Sequence, residues 1–142
     1  MYSIQQLKKE LVYITWDGSP RAADYAIEER FIRDLRTTLD EAAGPVYVLS
    51  DLRRGRISNM KTIQRLAELT RHPNYAGSTA FSGNLITNIL VGTFSRFSVE
   101  TQPKDAIWKT PEEVLAYLEL LQKGVTQNID WNALLNPSDA ER

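Results

Sequence analysis

The sequence predicts an α/β domain: a mostly parallel sheet of four or five strands with about four helices packed on it. Two observations carry that prediction. Short β-branched or aromatic runs alternate along the chain with longer segments whose apolar residues recur every three to four positions, and Gly or Pro stands at most of the joints. One run, Val46 to Leu49, is apolar or aromatic at every position, as in strands covered on both faces.

The elements follow in order. Tyr2 to Leu7 can form an antiparallel edge strand ahead of Leu11 to Trp16, "LVYITW", a strand closed by the turn pair Asp17-Gly18. Ser19-Pro20 opens a helix, since Ser caps free N–H groups and Pro at the first position loses none. In it Ala23, Ile27, Phe31, Leu35 and Leu39 form a stripe widened by Ile32 and Ala42, with Glu28, Glu29, Arg33 and Arg36 facing elsewhere. Gly44-Pro45 stops the helix, and "VYVL" at 46–49 follows as the central strand. Met60, Ile63, Leu66, Ala67 and Thr70 mark a second helix, ended by His72-Pro73. Ser78 to Phe81 is a third strand, and Leu85 to Phe97 has helical spacing interrupted by Gly92. Ala106 to Lys109 is a short strand. Thr110-Pro111-Glu112-Glu113 then reads as a capping box that starts a helix carrying Val114, Leu115, Tyr117, Leu118 and Leu121, which Gly124 ends.

The chain divides into an α/β domain at 1–124 and a tail at 125–142. In the tail, Ile129 to Leu135 predicts a short helix with Asp130 at its N-terminal turn, and Trp131, Leu134 and Leu135 at the i, i+3, i+4 spacing of one face. That face is expected to pack on a surface. A homodimer contact is preferred to docking on its own domain, because the main stripes already suffice for one core.

Bulk properties bound the function. The 142 residues suit one domain that folds without staples, and a formal charge of −1 offers no field for nucleic acid, which argues against nucleic-acid binding. No Cys is present, which removes disulfides, thiolate nucleophiles and cysteine metal sites. No acidic or histidine metal spacing is visible, so neither metal nor cofactor is expected. The N-terminal stretch lacks the layout of a signal peptide, and no apolar run approaches the roughly 20 residues that cross a bilayer; the expected location is cytoplasmic, without membrane insertion.

Ligand sites of open α/β sheets lie beyond the carboxyl ends of the strands, here after Trp16, Leu49, Phe81 and Lys109. One such loop is "SDLRRGRISN" at 50–59. Arg53, Arg54 and Arg56 form a candidate anion site, because guanidinium forks match phosphate and carboxylate and a helix begins beside them. The spacing is neither a Walker loop nor a Gly-x-Gly-x-x-Gly turn. Asp17 and Asp51 also fall at strand ends, as do Ser50, Ser58, Ser78 and Ser82. An acid–base pair or a serine nucleophile among them ranks below turn chemistry, since no Gly-x-Ser-x-Gly elbow exists and His72, the one histidine, is best read as a helix-end residue.

The stretches "PVYVLSDLR", "HPNYAGSTAF" and "AIWKTPEEVLAYL", taken with the order of elements, resemble the STAS (sulphate transporter and anti-sigma-factor antagonist) superfamily, especially its small stand-alone SpoIIAA-like bacterial branch. The likeness runs from about Leu11 to Leu121. It implies a non-enzymatic regulatory domain that acts through a protein partner. In signalling members a serine at the start of the helix after the corresponding strand is phosphorylated within Asp-Ser-Ser-Gly. The matching place here reads Arg56-Ile57-Ser58-Asn59, so Ser58 is the one residue placed to inherit the acceptor role. It lacks the preceding Asp, the neighbouring Ser and the following Gly, and an N-cap explains it equally. Other relatives resemble lipid-binding modules with an apolar cavity, so a small-molecule or lipid-binding module is the alternative function. The aromatic and Ile residues are expected to fill a core rather than line such a cavity.

Overall fold

The structure is a computed structural model that describes residues 2–17, 25–55, 60–81, 107–108 and 110–135. Five strands form one sheet in chain order: β1 (Tyr2–Lys8), β2 (Leu11–Trp16), β3 (Val46–Asp51), β4 (Tyr75–Phe81) and β5 (Ile107–Trp108). β1 runs antiparallel to β2, and every other pairing is parallel. The all-apolar "VYVL" run therefore lies in the middle strand, where only side chains suited to two covered faces fit. The helices among the described residues are α1 (Tyr25–Glu41), α2 (Met60–Leu69), α3 (Pro111–Leu121) and the short α4 (Trp131–Leu135). The expected helix over Leu85 to Phe97, the Ser19-Pro20 start and Ala23 lie outside the described residues.

Strand alternation divides the core in two. Val12, Ile14, Trp16, Val46 and Val48 pack under Phe31, Ile32, Leu35 and Leu39 of α1 and Leu69 of α2. The ring of Trp16 meets Phe31 edge-on at 4.9 Å, and Tyr2 closes the same cluster from the edge strand. On the other face Leu11, Tyr13, Leu49 and Phe81 meet Val114 and Leu118 of α3, together with Val125 and Leu135.

Three details depart from the sequence reading. Glu28, expected on the outward face of α1, is only 2% exposed, because it lies one turn before Ile32, where the buried stripe is widest. Leu121 belongs to the predicted stripe of α3 but is 37% exposed, at the helix end where the turn leaves the sheet. The third departure concerns the tail. Val125 and Leu135 are buried within the chain's own core, with Ile129, Trp131 and Leu134 packed against it. The face assigned by preference to a second copy is thus occupied in its own domain. The stripes of the larger helices leave Leu11, Tyr13 and Leu49 without full cover, and this segment supplies it.

Local signals explain how that segment is placed. Thr110 accepts the backbone N–H of Glu113 at 3.2 Å and donates its hydroxyl to the Glu113 carboxylate at 3.0 Å, which fixes the start of α3. After Gln122 the chain turns through Gly124, whose φ of 88° a side chain would strain. The Glu119 carboxylate ties the turn by accepting from the N–H groups of Gly124 and Thr126 and from the Thr126 hydroxyl, at 2.6–2.9 Å. Asp130 accepts the N–H of Ala133 at 3.1 Å and so caps α4, while Trp131 donates its indole N–H to the Thr126 carbonyl.

Candidate functional site

The site lies at the carboxyl ends of β2 and β3, on the face covered by α3 and α4. Parallel pairing sets Thr15 beside Asp51, and antiparallel pairing sets Ser3 beside Thr15 and Gln5 beside Tyr13. Alternation then puts Ser3, Gln5, Tyr13, Thr15 and Asp51 on one face. They line a cleft of about 520 Å³ together with Asp17, Arg53, Arg54 and the Ala133, Leu134 and Leu135 side of α4. The floor is polar and one wall is apolar. The Ser3 and Thr15 hydroxyls bond each other at 2.6 Å.

The inner end of the cleft is an ion pair between buried Asp51 and partly exposed Arg53. Asp51 accepts from the Tyr13 hydroxyl at 2.7 Å, from the Arg53 backbone N–H at 3.2 Å, and from the Arg53 guanidinium at 3.0 and 2.8 Å through its two oxygens. Burial alone would raise the Asp51 carboxyl, but the hydrogen bonds from Arg53 and Tyr13 outweigh it and hold the group below its ordinary value. Tyr13 shifts the opposite way. Burial, reinforced by the adjoining Asp51 carboxylate, pushes its phenol far above the usual range, so it stays a donor at any working pH.

Arg53 also donates to the Leu135 carbonyl at 2.7 Å and lies over the Phe81 ring at 5.1 Å from its centroid. One guanidinium therefore joins the loop after β3 to the last carbonyl of α4. A cation at a helix C-terminus is favourably placed for the free carbonyls and the helix dipole. The Trp131 ring approaches Tyr13 edge-on at 6.4 Å, a second tie between α4 and the sheet.

The residues singled out in the sequence fall as follows. Arg53 is committed to Asp51 and Leu135, whereas Arg54 lines the cleft, exposed and with no ion-pair partner among the described residues. Arg56, Ser58, Asn59 and Ser82 lie outside the described residues. Asp17 and Asp51 do share the cleft, but Asp51 is neutralised by Arg53. His72 follows the end of α2, yet it bonds a carboxylate rather than free carbonyls: Asp40 at 2.6 Å through Nε2, with the Asn74 N–H donating to Nδ1. The Asn74 side-chain amide beside it donates to the carbonyls of Leu39 and Ala42, at the end of α1.

Sequence reasoning missed Ser3, Gln5, Tyr13 and Thr15 as site residues. The signal was the period-two placement of polar groups, Ser3 and Gln5 on β1 and Tyr13 and Thr15 on β2. Only the pairing register shows that they converge. Among the described residues no cluster of three or more His, Asp and Glu side chains suits a metal ion, and no helix is long and apolar enough to cross a membrane.

No protein-family model matches the chain, and no curated protein gives a significant match. A solved structure does: "Structure of the Anti-Sigma Factor Antagonist SpoIIAA in its Unphosphorylated Form", with a TM-score of 0.62. The likeness covers 84% of this chain and 96% of that one at 13% identity. At that identity it establishes the fold, a STAS-like α/β domain, as the resemblance in the sequence implies.

Proposed function

We propose that this chain is a non-enzymatic regulatory domain that acts through contact with a protein partner in the cytosol and is modulated by a small ligand at its strand-end loops. The carrying observation is the extent of the structural likeness. It spans 96% of a protein described as an anti-sigma factor antagonist, so in that protein a domain of this architecture is nearly the whole regulator. The chemistry of the cleft is consistent with binding rather than turnover. Its buried carboxylate is held ionised by Arg53, and its buried phenol is held protonated, so neither suits a proton shuttle near neutral pH.

The alternative, a small-molecule or lipid-binding module, is supported in its polar form by the cleft, with its hydroxyl and amide floor. An acyl chain would leave those groups without partners, at a cost that disfavours lipid.

The partner reading is tested by affinity capture from the source cell with wild-type chain and a Leu120→Asp variant. Leu120 is 85% exposed, so the change leaves the core intact while altering the outer face of α3. A partner that elutes stoichiometrically with the wild type and weakens with either Leu120→Asp or Arg54→Glu supports the reading. Capture of nothing, alongside measurable turnover of a metabolite pool, would remove it.

A further inference from the structure

We infer that the outer edge of β1 pairs with β1 of a second copy of this chain, antiparallel about a two-fold axis at Ile4, joining the two sheets into one. The inference goes beyond the regulatory reading and does not rest on it.

The ladder decides which groups of β1 face outward. Tyr47 donates its N–H to the Glu10 carbonyl at 2.8 Å, and Val12 lies beside Val48 in parallel register. This turns the N–H and C=O of Val12 and Ile14 toward β3, and so those of Tyr13 and Thr15 toward β1. Their partners Gln5 and Ser3 bond β2, while Tyr2, Ile4 and Gln6 direct their N–H and C=O to the outer edge. β1 ends the sheet on that side, with no further strand among the described residues. The bulge between Gln6 and Lys8 ends the regular ladder, and Lys8 is tied to the Gly124 carbonyl at 3.0 Å. The usable edge therefore runs from Tyr2 to Gln6, with Ile4 at its midpoint.

That edge matches itself. Rotated about Ile4, Ile4 meets its own counterpart and Tyr2 meets Gln6 of the second copy, all at hydrogen-bonded positions, so every outward N–H and C=O gains a partner. Centred on Ser3 or Gln5 instead, the outward groups of Gln6 or Tyr2 are left over. On the other side of the strand the exposed Ser3 comes opposite the second copy's exposed Gln5, hydroxyl to amide. Ile4, half-buried against the α1 side of the core, completes its burial on its counterpart. No charged residue lies between Tyr2 and Leu7, so the edge does not repel its copy, whereas exposed edges are commonly blunted by Lys or Pro. A two-fold contact of this kind is self-complementary, as closed dimers require. Because Ser3 and Gln5 also line the cleft, the axis sets the two clefts side by side on one face, and the second copy's Gln5 extends the floor beside Ser3.

The experiment is sedimentation equilibrium of the full chain over a range of concentrations, with hydrogen exchange of the β1 amides. A reversible dimer is expected, in which the Ile4 and Gln6 N–H groups become protected in step with dimer formation while Ser3 and Gln5 are protected throughout. Gln6→Pro deletes one outward donor, twice per dimer, and leaves the β2 ladder intact; association should weaken about tenfold or more. Ile4→Lys and Ile4→Glu should each be monomeric alone and dimerise when mixed, because this register sets the two residues opposite each other. As the chain has no Cys, Ile4→Cys should cross-link between copies on oxidation and Gln6→Cys should not. A chain that stays monomeric at millimolar concentration overturns the inference. So does a dimer left unchanged by Gln6→Pro, or one cross-linked through Gln6→Cys and not through Ile4→Cys. Protection of the Ile4 amide in a monomer bound to another protein would overturn it in favour of a foreign strand at the same edge.

Discussion

Replacing Asp51 with Ala removes the centre of the cleft's ion pair, and its cost can be worked from the contacts. The carboxylate is 9% exposed and receives four hydrogen bonds, three of them from Arg53. Breaking a fully buried pair costs about 3–5 kcal/mol, most of it the stranded partner charge. Here Arg53 is 32% exposed and keeps the Leu135 carbonyl, so it rehydrates in part and the expected cost falls to about 2–4 kcal/mol. Two variants divide the effect. Tyr13→Phe removes one donor and should cost about 1–2 kcal/mol, while Asp51→Asn retains an acceptor for Tyr13 and should lie between wild type and Ala.

Urea unfolding with Trp fluorescence at pH 7 measures all three. For a domain of this size the Ala variant should also melt roughly 6–15 °C lower. Because the native Asp51 pKa is depressed, its contribution is full above the unfolded value near 4 and is lost as pH falls through the lower native value. The gap between wild type and Asp51→Asn should therefore close below about pH 4. An Ala variant within about 0.5 kcal/mol of wild type, or a gap that widens on acidification, would refute the reasoning.

Three further outcomes are expected. Truncation after Gly124 removes Val125 and Leu135 from the core and should destabilise the chain by about 3–6 kcal/mol with no change of oligomeric mass; unchanged melting would contradict the docking of this segment. Glu119, whose carboxyl is held down at about 2 first by the Thr126 hydroxyl and then by the Thr126 and Gly124 N–H groups, stabilises the turn above pH 4.5, an effect lost between there and pH 2; Glu119→Gln should flatten the acid limb of the stability profile in that window. Thr110→Ala removes the N-cap of α3 and should cost about 0.5–2 kcal/mol in urea titration, with little change at Thr110→Asp.

The fold was legible because its signals are local. The capping box at Thr110, the stop at Gly44-Pro45 and the stripe through Phe31, Leu35 and Leu39 each act within one or two turns of chain. The site was not, because its members meet only through register. Tyr13 and Asp51 are 38 residues apart, and Ser3 and Thr15 are 12. Asp51 read as a loop cap, and it does accept the N–H of Arg53. What the sequence could not show is that the same carboxylate is buried beneath a tyrosine from a neighbouring strand. In the tail the helix and its Asp130 cap were legible, but its docking surface was not: the apolar count of the large helices looked sufficient, yet sufficiency depends on which area of sheet each helix covers.

The placement of that ion pair bears on what the cleft is for. A Tyr–Asp–Arg cluster adds little net stability over apolar residues of the same volume, since desolvation cancels most of the attraction. Its distinctive effect is geometric. Asp51 holds the guanidinium by two bonds, from Nε and Nη2, and the same Nη2 also donates to the Leu135 carbonyl. The end of α4, which forms the apolar wall, is thereby positioned from the loop that carries Arg54. Any ligand or partner that draws on Arg53 must compete with Asp51 and Leu135 for the guanidinium. One guanidinium thus ties the strand-end loop directly to the end of the C-terminal segment.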